Sequence, residues 1–390
     1  MTLTRPRARD LGLKFGKFEP GPHNAITDVP GVRVGHETIV GGDGPLVVGT
    51  GPVRTGVTVI VPHDGDVWRE PVFAGVHTLN GCGEMTGLEW VRESGTLSSP
   101  IGLTNTHSVG VVRDALIGLE FRPRQGQGAY QFGLPVVAET YDGLLSDIDG
   151  QHVTEAHVAA ALAGAAAGQV EEGNVGGGTG MMCHGFKGGI GTASRRVPGV
   201  ASTFTVGVLV QANHGRRDRL EILGVKVGKE LSTDVIPDPT ADLRNQMSMP
   251  EGAGSVIIVV ATDAPMLPKQ CERLAQRAGF GIARMGAVGE AASGDIFLCF
   301  STGNRGLSPV TFGESEPEST PARFISNTFM TDFFDAVIDA TEEAIVNALL
   351  AADTMTGRGG VTVHAIDVPA CVEILRARGV LCESTTGQAT

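Results

Sequence analysis

One short stretch, GAGSVIIVVATDAP at 252–265, constrains the chain more than any other. The polar, Gly- and Pro-bearing segment MSMPEGAG leads into an unbroken apolar run over 256–261. That pattern predicts a loop ending abruptly at a buried strand, and so a layered fold able to cover both faces of a sheet. Gly254-Ser255 stands at the junction and is the sole Gly-Ser step in the chain. A strand holds its first residue rigidly while the preceding loop bends. Glycine lacks a Cβ, so the Ser255 hydroxyl can approach the carbonyl just upstream and the backbone tolerates strained dihedrals. An N→O acyl shift followed by ester hydrolysis would free Ser255 as a new N-terminus. Its α-amine, with an ordinary pKa near ~8, would then serve as base for its own hydroxyl. The plain alternative is a turn before a strand. Gly49-Thr50, Gly178-Thr179, Gly191-Thr192 and Gly81-Cys82 are rival steps, but none enters a clean apolar run.

The rest of the sequence limits the setting. With 390 residues, 41% hydrophobic and 19% charged, the chain suits one large or two medium globular domains. Its 56 glycines are about twice the usual share and show no collagen period, which predicts tight turns and close backbone packing. A net charge of −13 without basic clusters argues against nucleic acid as a partner. Arg5, Arg7 and Arg9 have no apolar stretch behind them, and no run is long enough to span a membrane. The six cysteines are scattered without a C-x-x-C pair, so reduced thiols in the cytoplasm are expected.

Strands broken by turn residues are predicted over 24–41 and 55–62, and further strands over 134–141, 202–215, 295–303 and 361–367. Helices are predicted over 71–92, 107–121, 155–168 (with Thr154 as N-cap), 268–286, 331–352 and 369–379. The glycine-dense run 173–195 matches neither phosphate-binding glycine motif and reads instead as a tight hairpin approaching a site. Residues 226–254, with Pro237, Pro239 and Pro250, read as an exposed polar excursion. Interspersed strands and long helices imply layered α/β packing, without fixing the strand order.

Acyl transfer at Ser255 needs a proton relay, an oxyanion donor and a substrate anchor. Ser293 and Asp295, at the mouth of the DIFLCF strand, suit the relay and the support of an ammonium, or else form a helix-to-strand turn. Asn213 ends an apolar strand, where its amide would polarise a scissile carbonyl or simply make a turn. Tyr141 follows LPVVAE and offers a second donor. Glu139 falls on the same strand face and suits a substrate ammonium. No metal is expected: H-E-x-x-H is absent, and His152 and His157 are out of phase on a helix. No cofactor is implied. G-x-S-x-G, the mark of a conventional serine hydrolase, is absent too.

Several co-linear blocks resemble one family across nearly the whole chain. They are NAITDVPGVRVGH, GCGEMTG, TNTHSVG, ETYDGLLSDIDG, NVGGGTGMMCHGFKGGIGTASR, VGVLVQANHG, GSVIIVVATDAP, SGDIFLCFSTGN and TMTGRGG. The chain is similar to the self-processing aminopeptidases of the DmpA/BapA type. The resemblance implies a four-layer αββα sandwich, like N-terminal-nucleophile hydrolases but with different connectivity. It also implies cleavage into an α chain 1–254 and a β chain 255–390, which stay together and assemble into a homo-oligomer. Ser255 matches the nucleophile, Gly254 the residue before the cut, Asn213 the oxyanion asparagine and Tyr141 the tyrosine near it. Ser293 and Asp295 match the supporting serine and acid, with aspartate here where BapA has glutamate. Glu139 is transferred as the amine anchor. The expected substrates are peptides, amides or esters whose N-terminal residue is released, with small, D- or β-amino acids as candidates.

Two other readings stand beside it. Ornithine acetyltransferase-like enzymes share the fold type and self-cleavage but process at threonine, so Ser255 counts against that chemistry. An uncleaved small-molecule-binding homologue would have no use for Ser255, Ser293 and Asp295 together.

Overall fold

The computed structural model describes residues 5–125, 132–238, 240–250, 252–308 and 319–381; Pro239 and the last residues of the β segment lie outside them. Strands β1 (Arg33–Gly41) and β2 (Val53–Val61) form an antiparallel pair. Strand β3 (Val72–Gly81) leads through helix α1 (Leu88–Ser94) to the short β4 (Thr96–Leu97). Strand β5 (Ile101–Asn105), helix α2 (Val109–Phe121) and strand β6 (Val136–Thr140) follow. β5 and β6 are parallel, which requires a long crossover such as α2 supplies. After helix α3 (Glu155–Ala163) come a small hairpin, β7 (Met182–Cys183) with β8 (Phe186–Lys187), and a long one, β9 (Gly189–Pro198) with β10 (Thr203–Asn213). Two short helices, α4 (Val227–Glu230) and α5 (Ala241–Gln246), precede β11 (Gly254–Thr262). Helix α6 (Pro268–Arg284) then crosses to β12 (Ser293–Ser301), parallel to β11. Helix α7 (Met330–Ala351), the pair β13 (Met355–Thr356) and β14 (Thr362–Val363), and helix α8 (Val368–Ala377) complete the order.

Among the described residues the two large sheets are ordered β1-β2-β5-β6 and β4-β3-β12-β11-β10-β9, with the pairs β7-β8 and β13-β14 apart from them. Alternation along each strand decides which layer a residue serves. Ile257 and Val259 of β11 join Ile296 and Leu298 of β12 in a core shared with Ile60, Ile101, Leu103 and Val136 of the other sheet. Val256, Ile258 and Val260 point the other way, to Leu274 and Ala278 of α6 and Ala340 and Ala344 of α7. On the far side, Val57 and Val59 of β2 meet Val112 and Leu116 of α2 and Val158 of α3. The layers run helix, sheet, sheet, helix, as the αββα expectation states. β11 and β12 are apolar throughout their middles because both of their faces are covered.

Two expectations need correction, and a third is met only in part. Residues 71–92 are not one helix: β3 occupies 72–81 and helix starts only at Leu88. Gly75 shows why, since a Cβ there would lie 2.2 Å from the Glu272 nitrogen of α6, so β3 is packed directly under that helix. Residues 361–367 hold only the two-residue strand β14. The 226–254 excursion is exposed at Val235, Asp242 and Met247, as expected, but is tied down near its start. Arg217 lies over the Phe186 ring, 3.4 Å from its centroid, and donates to the Leu231 and Ile236 carbonyls at 3.1 and 2.9 Å.

The topology brings several strand ends to one edge. β10 is antiparallel to β11, so its end at Asn213 pairs with Ser255. β12 is parallel to β11, so Ser293 starts beside Gly254. β3 is antiparallel to β12, which places Asn80 opposite Asp295.

Candidate active site

A cavity of about 1070 Å³ opens at this edge, and Glu139, Tyr141, Asn213, Gly254 and Ser255 all line it. Ser255 is buried, and its hydroxyl donates to the Gly254 carbonyl at 2.6 Å. The oxygen is thus held against the group it would attack. Gly254 is required there on steric grounds: a Cβ would fall 2.2 Å from the Asn213 carbonyl oxygen. Upstream, Gly252 takes φ +78°, a left-handed conformation that turns the chain into β11.

Asn213 is oriented at both ends of its amide. Its Oδ1 accepts from the Met182 N–H at 2.8 Å, and its Nδ2 donates to the Tyr141 carbonyl at 3.1 Å. An amide NH₂ carries two donors, so one N–H is left for the cavity. Met182 belongs to the glycine-dense segment, whose backbone is held from inside. The wholly buried Lys187 donates to the carbonyls of Met181, Gly188 and Gly178 at 2.6, 2.9 and 3.4 Å. Burial pushes that ammonium down to about 7. Here carbonyls converge on an internal cation, the opposite of N–H groups converging on a phosphate.

Beneath Gly254 and Ser255, the Ser293 hydroxyl donates to Asp295 Oδ1 at 2.7 Å, and Asn80 Nδ2 donates to Oδ2 at 3.1 Å. Ser293 and Asp295 are both 1% exposed. Burial raises the Asp295 carboxyl above its ordinary value, against the pull of its Ser293 and Asn80 hydrogen bonds.

Glu139, near the end of β6, is 3% exposed. Its Oε1 accepts from the Glu84 N–H at 2.9 Å and its Oε2 from the Thr106 hydroxyl. Burial raises its pKa too. Tyr141 is half-buried just beyond the strand. The next residue, Asp142, is wholly buried, pushed up to about 7, and accepts from Asn105 at 3.0 Å.

Every residue singled out from the sequence therefore gathers at one place. Five line the cavity, while Ser293 and Asp295 lie in the strand paired with β11. Asn80, Thr106, Glu84 and Lys187 were not singled out. Thr106 and Glu84 lie inside the TNTHSVG and GCGEMTG blocks, which was the available signal. Lys187 lies inside the glycine-dense block, but nothing there marks a lysine as buried; Asn80 carries no signal, because its partners Glu290 and Asp295 are distant in sequence.

The model of peptidase family S58 matches residues 24–363. A β-peptidyl aminopeptidase, BapA, from Sphingosinicella microcystinivorans is 50% identical over 93% of this chain and 89% of its own. A solved β-aminopeptidase from a Burkholderia species superposes with a TM-score of 0.88 at 50% identity, covering 96% of this chain and 99% of that one. The L-aminopeptidase D-Ala-esterase/amidase of Ochrobactrum anthropi, described as a prototype of the serine aminopeptidases and a variant of the Ntn hydrolase fold, gives a TM-score of 0.87. It is 43% identical, over 97% of this chain and 100% of that one.

Proposed function

The chain belongs to peptidase family S58 and is a hydrolase of the aminopeptidase type, and from that premise we propose that it cuts itself between Gly254 and Ser255 and then uses the freed Ser255 as an N-terminal nucleophile. The observation that carries the proposal is the Ser255 hydroxyl, 2.6 Å from the Gly254 carbonyl at the mouth of the cavity. Attack of Oγ on the Gly254 carbonyl carbon gives a tetrahedral oxyanion. Collapse breaks the C–N bond, moves the acyl group to Oγ and leaves the Ser255 amine. Water then hydrolyses the ester, releasing the 1–254 segment as an α chain with a Gly254 carboxylate. In turnover the amine takes the proton of its own hydroxyl, Oγ attacks the substrate carbonyl, the amine or alcohol leaves, and water hydrolyses the acyl-enzyme. Intact mass and N-terminal sequencing test the first half. A panel of L-, D- and β-aminoacyl amides tests the second, and relatives with β-peptidyl and D-Ala-ester activities motivate its composition. The family match and these relatives favour peptidase chemistry over the acetyltransferase alternative.

Asn213 is the oxyanion donor in this scheme, with Tyr141 beside it. Losing one such donor costs about 10²–10³ in kcat. Asn213→Ala is expected to fall by that much with KM little changed. Asn213→Asp keeps an acceptor for the Met182 N–H but has no N–H to give. It should be as slow as the alanine variant if the donor matters, and near wild type if only the Met182 contact does.

Glu139 holds the substrate's ammonium. Wild type should hydrolyse a free aminoacyl amide and fail on its N-acetylated form, while Glu139→Gln should lose that discrimination. Only the ionised carboxyl attracts an ammonium, and burial raises its pKa. KM for amine substrates should therefore rise on acidification at a pH above the ordinary glutamate range, and this rise should vanish in Glu139→Gln. Equal turnover of free and acetylated substrates by wild type would exclude an aminopeptidase.

The proposal extends to a cytoplasmic homo-oligomer of processed αβ units. Val200, Phe324 and Phe329, 94%, 60% and 55% exposed, cluster around a second hollow, a large apolar surface for a lone subunit. The five described cysteines are free thiols, four of them buried, as in a reducing compartment. Among the described residues no helix is long and apolar enough to cross a membrane. Sedimentation of the processed protein reads the assembly directly.

A further inference from the structure

Cys183, His184 and His214 stand together behind Asn213, and acyl transfer at Ser255 makes no use of them. We propose that these three side chains form a zinc-binding site that ties the β7–β8 hairpin to the segment leaving β10.

The donor set is the first ground. One thiol and two imidazoles, all buried, place their potential ligand atoms within 4.8 Å of one another. The Cys183 sulfur is already 4.0 Å from His214 Nδ1. Tetrahedral zinc, with bonds of about 2.3 Å to sulfur and about 2.0–2.1 Å to nitrogen, wants such atoms roughly 3.5 Å apart. Small side-chain rotations close that gap.

The backbone is the second ground. His184 and Gly185 take φ of 50° and 70°, the two left-handed positions of a tight hairpin turn. A non-glycine residue seldom adopts that conformation, so the direction of the His184 side chain is built in rather than incidental. The His184 N–H also donates to the His214 carbonyl at 2.7 Å, fixing one segment against the other.

The third ground is the state of the imidazoles. His184 Nδ1 lies 3.0 Å from the Arg216 carbonyl oxygen, which can only accept. Nδ1 therefore carries the proton, and Nε2 keeps a lone pair. That is the outer-shell arrangement that orients a metal-binding histidine. His184 Nε2 is buried without a hydrogen-bond partner, and on His214 it is Nδ1 that faces the Cys183 sulfur. A thiol binds zinc as thiolate, so the metal must displace the Cys183 proton. Binding then forms one S–Zn and two N–Zn bonds and releases one H⁺. His214 and Gly185 line the large cavity, from which water can fill the fourth position. The ligands come from separate segments, so no spacing motif reveals them.

Zinc chloride alone is the probe, titrated into full-length protein stripped with a chelator, in the processed form and in uncleaved Ser255→Ala. Cys82 is exposed on the cavity rim and is first changed to serine, to remove adventitious thiol binding. One equivalent should bind, release a proton and raise Tm. Cobalt should give a thiolate-to-metal charge-transfer band. Cys183→Ser and His184→Gln should each abolish stoichiometric binding. If either variant fails to fold, protection of one buried thiol from alkylation by zinc in the Cys82→Ser protein decides. No stoichiometric binding to Cys82→Ser protein, a cobalt spectrum without the thiolate band, or binding untouched by Cys183→Ser and His184→Gln would overturn the assignment.

Discussion

Replacing Ser255 with alanine is expected to leave a single chain of 390 residues that hydrolyses no aminoacyl amide above background. Wild type should instead resolve into chains 1–254 and 255–390 under denaturing conditions. The substitution removes one oxygen whose hydrogen bond is to the adjacent Gly254 carbonyl. The β11 ladder to β10 and β12 does not depend on that oxygen. Loss of fold is therefore not expected, and circular dichroism should match the precursor. Loss of the nucleophile in a serine hydrolase costs on the order of 10⁶ in kcat. Here the same change also blocks formation of the amine that would serve as base, so no partial activity should remain. Two results would sink the scheme: a wild-type preparation that stays uncut yet turns over fully, or an alanine variant that is still cut at 254.

How much of this was readable in advance depends on whether a residue's partners are local. The apolar run at 256–261 announces a buried strand and DIFLCFSTG at 295–303 a second strand, and β11 and β12 are that pair. Ser255 was legible because its oxygen acts on the neighbouring peptide. Asn213 was legible as the end of an apolar strand. That Ser293 would stand beside Gly254 was not, since it depends on the parallel register set by the α6 crossover. Roles for Ser293, Asp295 and Tyr141 came chiefly from family resemblance. Residues 71–92 misled because VFAGVHTLNG places apolar residues where a helix would also want them. Only packing under α6 decides for strand, and Gly75 permits it. Lys187 reads as a surface lysine in any composition-based view. It is buried because the glycine-rich segment turns three carbonyls inward to meet it.

Asp295→Asn and Ser293→Ala are expected to slow turnover by about 10²–10⁴, the usual worth of positioned proton transfer. The parallel register sets Ser293 beside Gly254 and Asp295 beside Val256. When the 254–255 peptide bond breaks, the new amine emerges on β11 within this neighbourhood. The Ser293 hydroxyl already bridges to the carboxylate at 2.7 Å, and Asn80 holds the other oxygen at 3.1 Å. The shorter aspartate thus engages the serine without needing the reach of a glutamate. A buried carboxylate whose pKa is raised by desolvation gains from a cation nearby, and the Ser255 ammonium is such a cation. The linkage runs both ways: the carboxylate raises the amine's pKa. Asp295→Asn should therefore shift the acidic limb of the kcat/KM profile to lower pH. Ser293→Ala should lower kcat with a smaller shift, because the charge remains. A purely structural role would lower stability without moving that limb. If both variants process normally and keep wild-type kcat, neither residue supports the nucleophile.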